Sequence, residues 1–153
     1  MFDLQEIEAI KRLKYKYMRC LDQKRWKEMA ECFAEDATAA YSGGKYSFAG
    51  RATILDFFEK SMGRGSVLSS HRVHHPEIEL TSETTATGVW ALEDTFIDAD
   101  AGVTIRGAAF YRDEYVKEGS TWKIKHTGYE RTYEEMEMRK NMPWLSITQR
   151  ATS

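Results

Sequence analysis

The chain has 153 residues, of which 42% are hydrophobic and 12% aromatic, and this composition suits one domain with one packed core. Its 22 basic and 24 acidic residues are interspersed and give a formal net charge of −2. Neither a nucleic-acid-binding face nor a polybasic membrane-binding patch is therefore expected. No apolar run reaches the length of about 18 residues needed to span a membrane, and no signal segment is evident, which favours a cytoplasmic protein.

A first helix is predicted over residues 3–22. Its apolar residues recur at steps of three and four and form one stripe, made of Ile7, Ile10, Leu13, Tyr17 and Leu21. A phenol in that stripe points into the molecule and needs a polar partner there. Asp22 ends the helix, where the helix dipole favours a basic residue instead. The sequence therefore raises the question of what the Tyr17 phenol and the Asp22 carboxylate face.

Three elements follow before the long strands. A second helix, a hairpin around a Gly-Gly pair and a third helix are predicted at 26–33, at 38–42 with 45–48, and at 51–62. Cys20 and Cys32 both fall in helical segments, and nothing marks a disulfide framework, so we expect them to be reduced core thiols.

From residue 70 onward the hydrophobic period changes to two. Four strands are predicted, at 70–80, 85–98, 103–117 and 121–133. Helices followed by long antiparallel strands with short turns indicate an α+β fold, with the helices packed on one face of a curved sheet. Residues 1–135 are expected to form the domain, and residues 136–153 a tail that acts as a lid or an oligomer contact.

Strand parity places one carboxylate, that of Asp94, and one guanidinium, that of Arg131, on the inward faces of their strands. In the strand 85–98, Asp94 shares its face with large apolar residues, namely Trp90, Leu92 and Phe96. In the last strand, Arg131 shares a face with Tyr129 and Tyr133. The small residues Gly107, Ala108 and Ala109 in the strand between them leave volume for a ligand.

The histidines of the strand 70–80 divide between the two faces. His74 has the parity of Ile78 and Leu80, provided that Pro76 does not shift the register, whereas His71 and His75 take the opposite parity, towards solvent. Adjacent histidines on a strand point to opposite faces, so a shared metal ion is not expected.

Taken singly, an inward Asp or His is more often a satisfied structural group than a catalytic one. Burying a Tyr, a His, an Asp and an Arg in one small domain is costly unless the four side chains meet. The inward set Tyr17, His74, Asp94 and Arg131 therefore predicts a cavity with a cluster of polar groups. Trp90, Leu92, Phe96, Tyr129 and Phe110, or its neighbour Tyr111, are expected to line this cavity.

Five segments, read in chain order, resemble a known family: YKYMRCLD at 15–22, HRVHHPEIEL at 71–80, TATGVWALEDTFI at 85–97, GAAFYRDEY at 107–115 and TGYERTYEE at 127–135. They are similar to the SnoaL-like branch of the nuclear transport factor 2-like superfamily. Within it the bile acid 7-alpha-dehydratases resemble the chain most, and scytalone dehydratase and gamma-hexachlorocyclohexane dehydrochlorinase more distantly. The resemblance implies a cone-shaped, cystatin-like α+β barrel.

The resemblance also implies roles for the site residues. His74 would be the general base, Asp22 the carboxylate that holds its imidazole, and Tyr17 the donor that polarises a substrate carbonyl. Arg131 and Asp94 would complete the pocket. Because a second histidine follows His74, which of the two adjacent histidines faces the pocket stays open at this point.

The resemblance implies that the protein is a cofactor-independent dehydratase, which removes water from its substrate by syn elimination. The implied substrate is a hydrophobic carbonyl compound, and a steroid-like molecule is one candidate. An isomerase or cyclase on the same scaffold and a non-catalytic small-molecule-binding domain are the alternatives. Neither a metal nor an organic cofactor is expected. Apart from the small-molecule ligand, the expected partner is the chain itself, in a homo-oligomer, as a trimer or a dimer.

Overall fold

The computed structural model describes residues 2–148. Over this range the chain forms three helices, six strands and a final 3-10 turn. The helices are α1 (Phe2–Gln23), α2 (Trp26–Ala30) and α3 (Arg51–Met62), and the 3-10 turn is Arg139–Asn141. The strands are β1 (Phe33–Tyr41), β2 (Tyr46–Ala49), β3 (Val67–Leu80), β4 (Thr85–Asp98), β5 (Val103–Glu118) and β6 (Thr121–Met138).

The strands form one curved, unclosed sheet in the order β2-β1-β6-β5-β4-β3. Neighbouring strands are antiparallel except β1 and β6, which run parallel. Helix α1 contacts β3 and β6, and α3 contacts β1 and β2, so the sheet has a face that the helices cover. The predicted α+β fold is confirmed, as is the hairpin between β1 and β2.

Four elements differ by more than one residue from their predicted bounds, namely α2, β1, β6 and β3, which begins at Val67 and not at residue 70. Helix α2 ends at Ala30, although the pattern predicted a helix over 26–33. Phe33 instead begins β1, because it pairs in register with Ile124 of β6 and both side chains are fully buried. Strand β6 continues to Met138 through its pairing with β5, beyond the predicted end at residue 133. Residues 149–153 of the predicted tail lie outside the described residues.

The two cysteines are buried and unpaired, which agrees with their prediction as free core thiols. Burial raises the pKa of the Cys32 thiol to about 12, so this thiol is not poised to react. Of the helices within residues 2–148, none is both long enough and apolar enough to cross a membrane.

The inward face of α1 includes a charged residue, Lys14, which is fully buried. Its Nζ lies 2.7 Å from Asp113 Oδ2, and both side chains are 0% exposed. The Asp113 carboxylate also accepts 2.7 Å hydrogen bonds from Tyr115 OH and Thr127 Oγ1, and the Lys14 ammonium lies 3.4 Å from the centre of the Tyr111 ring. Loss of hydration lowers the pKa of Lys14, while Asp113 opposes that shift. This network fastens α1 to β5 and β6.

Candidate active site

A cavity of about 700 Å³ lies between the ends of α1 and α3 and the inward face of the sheet. Eight aromatic residues contribute to its wall, namely Tyr17, Tyr41, Tyr46, Phe57, Phe58, Phe96, Tyr111 and Tyr129. Polar side chains from different strands also reach it, among them His71, Asp94 and Arg131, and the lining further includes Ser42, Lys45, Ser61, Glu130 and Glu134. An apolar concavity with a few converging polar groups is the usual form of a small-molecule site.

A histidine–carboxylate pair joins the end of α1 to β3. His71 Nδ1 lies 2.6 Å from Asp22 Oδ1, and the two side chains are 12% and 18% exposed. Ser69 Oγ donates a 2.9 Å hydrogen bond to the same oxygen, and the backbone N–H of His71 donates a 2.8 Å bond to Asp22 Oδ2. Because an ionised carboxylate only accepts, Nδ1 carries the proton in this pair and Nε2 is left as the basic nitrogen of a neutral ring.

A β-bulge in β3 places His71 on the inward face. His74 pairs with Ala91 and Glu77 pairs with Val89, so that two residues of β3, His75 and Pro76, lie opposite one residue of β4. His75 has a φ of 29°, in the left-handed region that bulges often use. An extra residue reverses the alternation of side chains along a strand. Parity counted back from the end of β3 is therefore inverted before the bulge.

The orientation predicted for His74 is consequently wrong. His74 lies on the outer face, 46% exposed, with its Nε2 3.1 Å from the Oε2 of the exposed Glu93. His75 is exposed as well, so neither of the two adjacent histidines faces the cavity. His71, which parity placed towards solvent, is the histidine that lines it. Pro76 was the indication of this bulge in the sequence, because the orientation predicted for His74 held only if Pro76 did not shift the register of the strand.

A pair of phenols forms the second polar feature of the cavity. Tyr17 is fully buried, as its place in the α1 stripe predicted, and its hydroxyl lies 2.8 Å from the hydroxyl of Tyr41 in β1. Burial raises the pKa of both phenols well above 10, so both keep their protons. One hydrogen holds the pair together and the other is left for an oxygen in the cavity. Sequence reasoning missed Tyr41, although it continues the buried alternation of Ala37 and Ala39.

An ion pair spans three strands on the inward face. Arg131 of β6 donates from Nη1 and Nη2 to Asp94 Oδ1 and Oδ2 of β4, at 2.5 and 2.9 Å, and Glu134 Oε2 lies 3.4 Å from Arg131 Nε. The paired Asp94 carboxylate raises the pKa of Arg131 further above its ordinary value. The inward orientation predicted for Asp94 and Arg131 agrees with this geometry.

Gly107 of β5 lies between the two partners and makes their contact possible. It pairs with Asp94 on one side and Glu134 on the other. A Cβ atom at this position would lie 2.7 Å from Arg131 Nη1 and 2.6 Å from the carbonyl oxygen of Tyr133. The volume predicted for a ligand at this glycine is therefore filled by the guanidinium.

The predicted pocket residues divide into three groups. Phe96 and Tyr129 line the cavity. Trp90 and Leu92 are buried in the core and do not line it, and the Trp90 indole donates to Tyr115 OH at 2.9 Å. Phe110 is 48% exposed on the outer face and does not line the cavity. Its predicted alternative, Tyr111, points inward and lines the cavity instead.

Comparison with known proteins identifies relatives of this fold. A family model described as a SnoaL-like domain matches residues 3–128. A protein from Novosphingobium aromaticivorans, assigned provisionally as a scytalone dehydratase, is 25% identical with a TM-score of 0.78, covering 88% of this chain and 91% of that one. The hexachlorocyclohexane dehydrochlorinase LinA-type3 from Novosphingobium barchaimii is 18% identical with a TM-score of 0.79, covering 88% of this chain and 92% of that one. A provisionally assigned aromatic ring hydroxylase from Novosphingobium aromaticivorans is 19% identical with a TM-score of 0.76, covering 88% and 93%. At 18% and 19% identity, the similarity to the dehydrochlorinase and to the hydroxylase shows a shared fold alone.

Proposed function

The chain belongs to the SnoaL-like domain family, and from this membership and the geometry of the cavity we propose that it is a cofactor-independent dehydratase, a carbon–oxygen lyase. Its substrate would be a hydrophobic carbonyl compound with a hydroxyl group on the β carbon. The observation that carries the proposal is the Asp22–His71 pair, which holds an imidazole in a fixed orientation at the wall of the cavity.

The reaction would begin with removal of a proton from the carbon between the carbonyl and the hydroxyl-bearing carbon. His71 Nε2 accepts this proton, and Asp22 stabilises the imidazolium that forms because its Oδ1 lies 2.6 Å from Nδ1. The electron pair of the broken C–H bond moves towards the carbonyl oxygen and gives an enolate.

The phenol pair would receive the charge that develops on that oxygen. Tyr17 and Tyr41 share one hydrogen between them, so the remaining hydroxyl hydrogen is available to the enolate oxygen. The imidazolium then returns its proton to the β-hydroxyl group. Water departs, the C–C double bond forms, and proton removal and return occur on one face, which is a syn elimination.

Two further observations support a catalytic site over a binding domain alone. Asp22 accepts three hydrogen bonds that fix one histidine tautomer, and simple retention of an apolar ligand does not require such control. In addition, the relative that is 25% identical over 88% of this chain carries the assignment of a dehydratase.

The direct test uses a bicyclic β-hydroxy ketone, 3-hydroxy-1-tetralone, whose dehydration product, naphthalen-1(4H)-one, tautomerises to the fluorescent 1-naphthol. We expect the wild-type protein to form 1-naphthol, and His71→Ala to lower kcat/KM by about 10²–10⁴-fold, the usual contribution of a general base. His74→Ala is the matched control, because His74 lies on the same strand but faces outward beside Glu93. It should retain the wild-type rate.

Three results would contradict the proposal. Wild-type protein that forms 1-naphthol no faster than buffer alone would exclude the elimination of water from this class of compound. Loss of turnover in His74→Ala alone would return the role of base to His74. Exchange of the α proton in deuterated water without product would exclude a dehydratase and favour the isomerase alternative.

A further inference from the structure

Building on the proposed function, we infer that the cavity selects neutral ring-bearing carbonyl compounds and rejects those that carry a carboxylate, and that Asp94 sets this selectivity. The elimination chemistry alone leaves open which charge a substrate can bring into the cavity. Arg131, the cation inside the cavity, is already paired with Asp94.

Within residues 2–148, two cations line the cavity, Arg131 and Lys45. Lys45 is exposed at the rim, with its ammonium 5.2 Å from the centre of the Tyr46 ring. Arg131 lies inside, 19% exposed, and both of its terminal nitrogens donate to Asp94. Its remaining nitrogen faces Glu134 at 3.4 Å. Among the described residues, Nε has no hydrogen-bond partner. The edge formed by the two terminal nitrogens, which would bind a ligand carboxylate in a bidentate manner, is therefore occupied by Asp94.

The carboxylates around the cavity outnumber the interior cation. Asp94, Glu130 and Glu134 line the cavity against Arg131 and Lys45. Asp22, with Arg72 Nη1 3.8 Å from its Oδ2, lies behind His71. An anionic ligand would meet this surplus of negative charge at short range. To take both terminal nitrogens of Arg131 it would have to displace Asp94, whose side chain is only 7% exposed and would be left without its partner. A neutral ketone meets neither penalty.

The wall of the cavity agrees with a flat ring as the rest of the ligand. Phe57 stacks on Tyr41 with an angle of 19° between ring planes and on Tyr46 with an angle of 28°. These rings form one aromatic wall, which favours offset stacking with a planar ligand.

The test measures binding of two bicyclic ketones of nearly equal shape by isothermal titration calorimetry: 1-tetralone-6-carboxamide, which is neutral, and 1-tetralone-6-carboxylate. We expect the wild-type protein to bind the neutral ketone at least about tenfold more tightly. Asp94→Asn removes one negative charge and frees Arg131, so the preference should shrink by about tenfold or more through tighter binding of the carboxylate.

Glu93→Gln is the matched control, because it removes the same charge from the neighbouring residue of β4, which is 71% exposed on the outer face. It should leave the preference at its wild-type value. Thermal unfolding of each variant checks that the fold is kept, and the comparison of the two probes on wild-type protein needs no variant at all.

Equal affinity of the wild-type protein for both probes, or absence of binding of the neutral ketone, would overturn the inference. So would an equal change of preference in Asp94→Asn and Glu93→Gln, since that would reflect net charge and not the pair with Arg131. These measurements involve no turnover. A protein that prefers the neutral ketone but forms no 1-naphthol would contradict the proposed function and leave this inference standing.

Discussion

Replacing Asp22 by Asn tests whether this carboxylate controls the histidine tautomer. Asp22 Oδ1 accepts hydrogen bonds from His71 Nδ1 and Ser69 Oγ, while Oδ2 accepts one from the backbone N–H of His71. An asparagine amide has one accepting oxygen and one donating NH₂ group. It cannot satisfy the imidazole N–H and the backbone N–H of His71 at the same time.

The two orientations of the amide have different consequences. If its oxygen faces His71 Nδ1, its NH₂ group opposes the backbone N–H at the position where Asp22 Oδ2 now lies 2.8 Å away. Such an unsatisfied pair costs about 1–3 kcal/mol. If the amide turns over, its NH₂ group donates to Nδ1, the proton moves to Nε2, and the ring loses its basic nitrogen. Only the first orientation leaves Nε2 of His71 free to accept a proton. Its penalty therefore reduces the fraction of protein molecules with the active tautomer by about 5–150-fold.

We therefore expect kcat for dehydration of 3-hydroxy-1-tetralone to fall by about 5–150-fold in Asp22→Asn through loss of the active tautomer, and further because the imidazolium is destabilised. Long-range ¹⁵N–¹H NMR correlations of His71 report the tautomer without any substrate and should show the proton on Nε2. Glu93→Gln is the control, because it alters the corresponding pair at the exposed His74. An Nδ1–H tautomer in Asp22→Asn together with a wild-type rate would refute the argument.

Two other predictions concern the buried groups around the cavity. Lys14→Met should lower the free energy of unfolding by about 3–5 kcal/mol in urea titrations, because it leaves the buried Asp113 carboxylate unpaired. The double variant Lys14→Met with Asp113→Asn should restore part of this loss. A loss below about 1 kcal/mol in Lys14→Met would contradict the prediction. Absorbance at high pH should show that part of the eight tyrosines fail to ionise near pH 10 in the folded protein but do so in denaturant, since burial raises the pKa of Tyr17, Tyr41, Tyr111 and Tyr115. The unfolded state releases these protons first, so the free energy of unfolding should fall as the pH rises above about 10, and simultaneous ionisation of all eight tyrosines would refute this.

Periodicity predicted side-chain orientation where an element is regular. In α1 the steps of three and four placed Tyr17 correctly, and in β4 the period of two placed Asp94 on the inward face. Both elements bury one face without interruption. Under that condition a shift of one residue would expose the whole apolar set, so the pattern determines the orientation.

The errors in orientation fall where the two-residue alternation is broken. The bulge at His75 and Pro76 reversed the orientation of His71. In β6, Arg131 pairs with Ala109 while Tyr133 pairs with Ala108, so Thr132 is an extra residue and Tyr133 turns outward, 53% exposed. A bulge is fixed by pairing between strands and is not a property of one strand read alone.

Gly107 illustrates a second limit, which concerns volume and not orientation. The sequence indicates a missing side chain in the middle of a strand, and an empty space follows from that observation. What fills the space depends on a side chain of another strand, since Arg131 reaches across β5 to Asp94 at this point. Gly107 and the Arg131–Asp94 pair thus form one arrangement, which no single strand reveals by itself.

Helix α1 unites these features, because its inward residues contact three different strands. Lys14 meets Asp113 of β5, Tyr17 meets Tyr41 of β1, and Asp22 meets His71 of β3. From Lys14 to Asp22 the helix advances about 12 Å. Removing water from the Lys14–Asp113 pair is costly, and a well-packed apolar pair would serve stability as well. Unlike an apolar contact, the ion pair requires two particular atoms to meet, so it fixes the position of α1 along the sheet. The geometry of the phenol pair and of the histidine–carboxylate pair depends on that position.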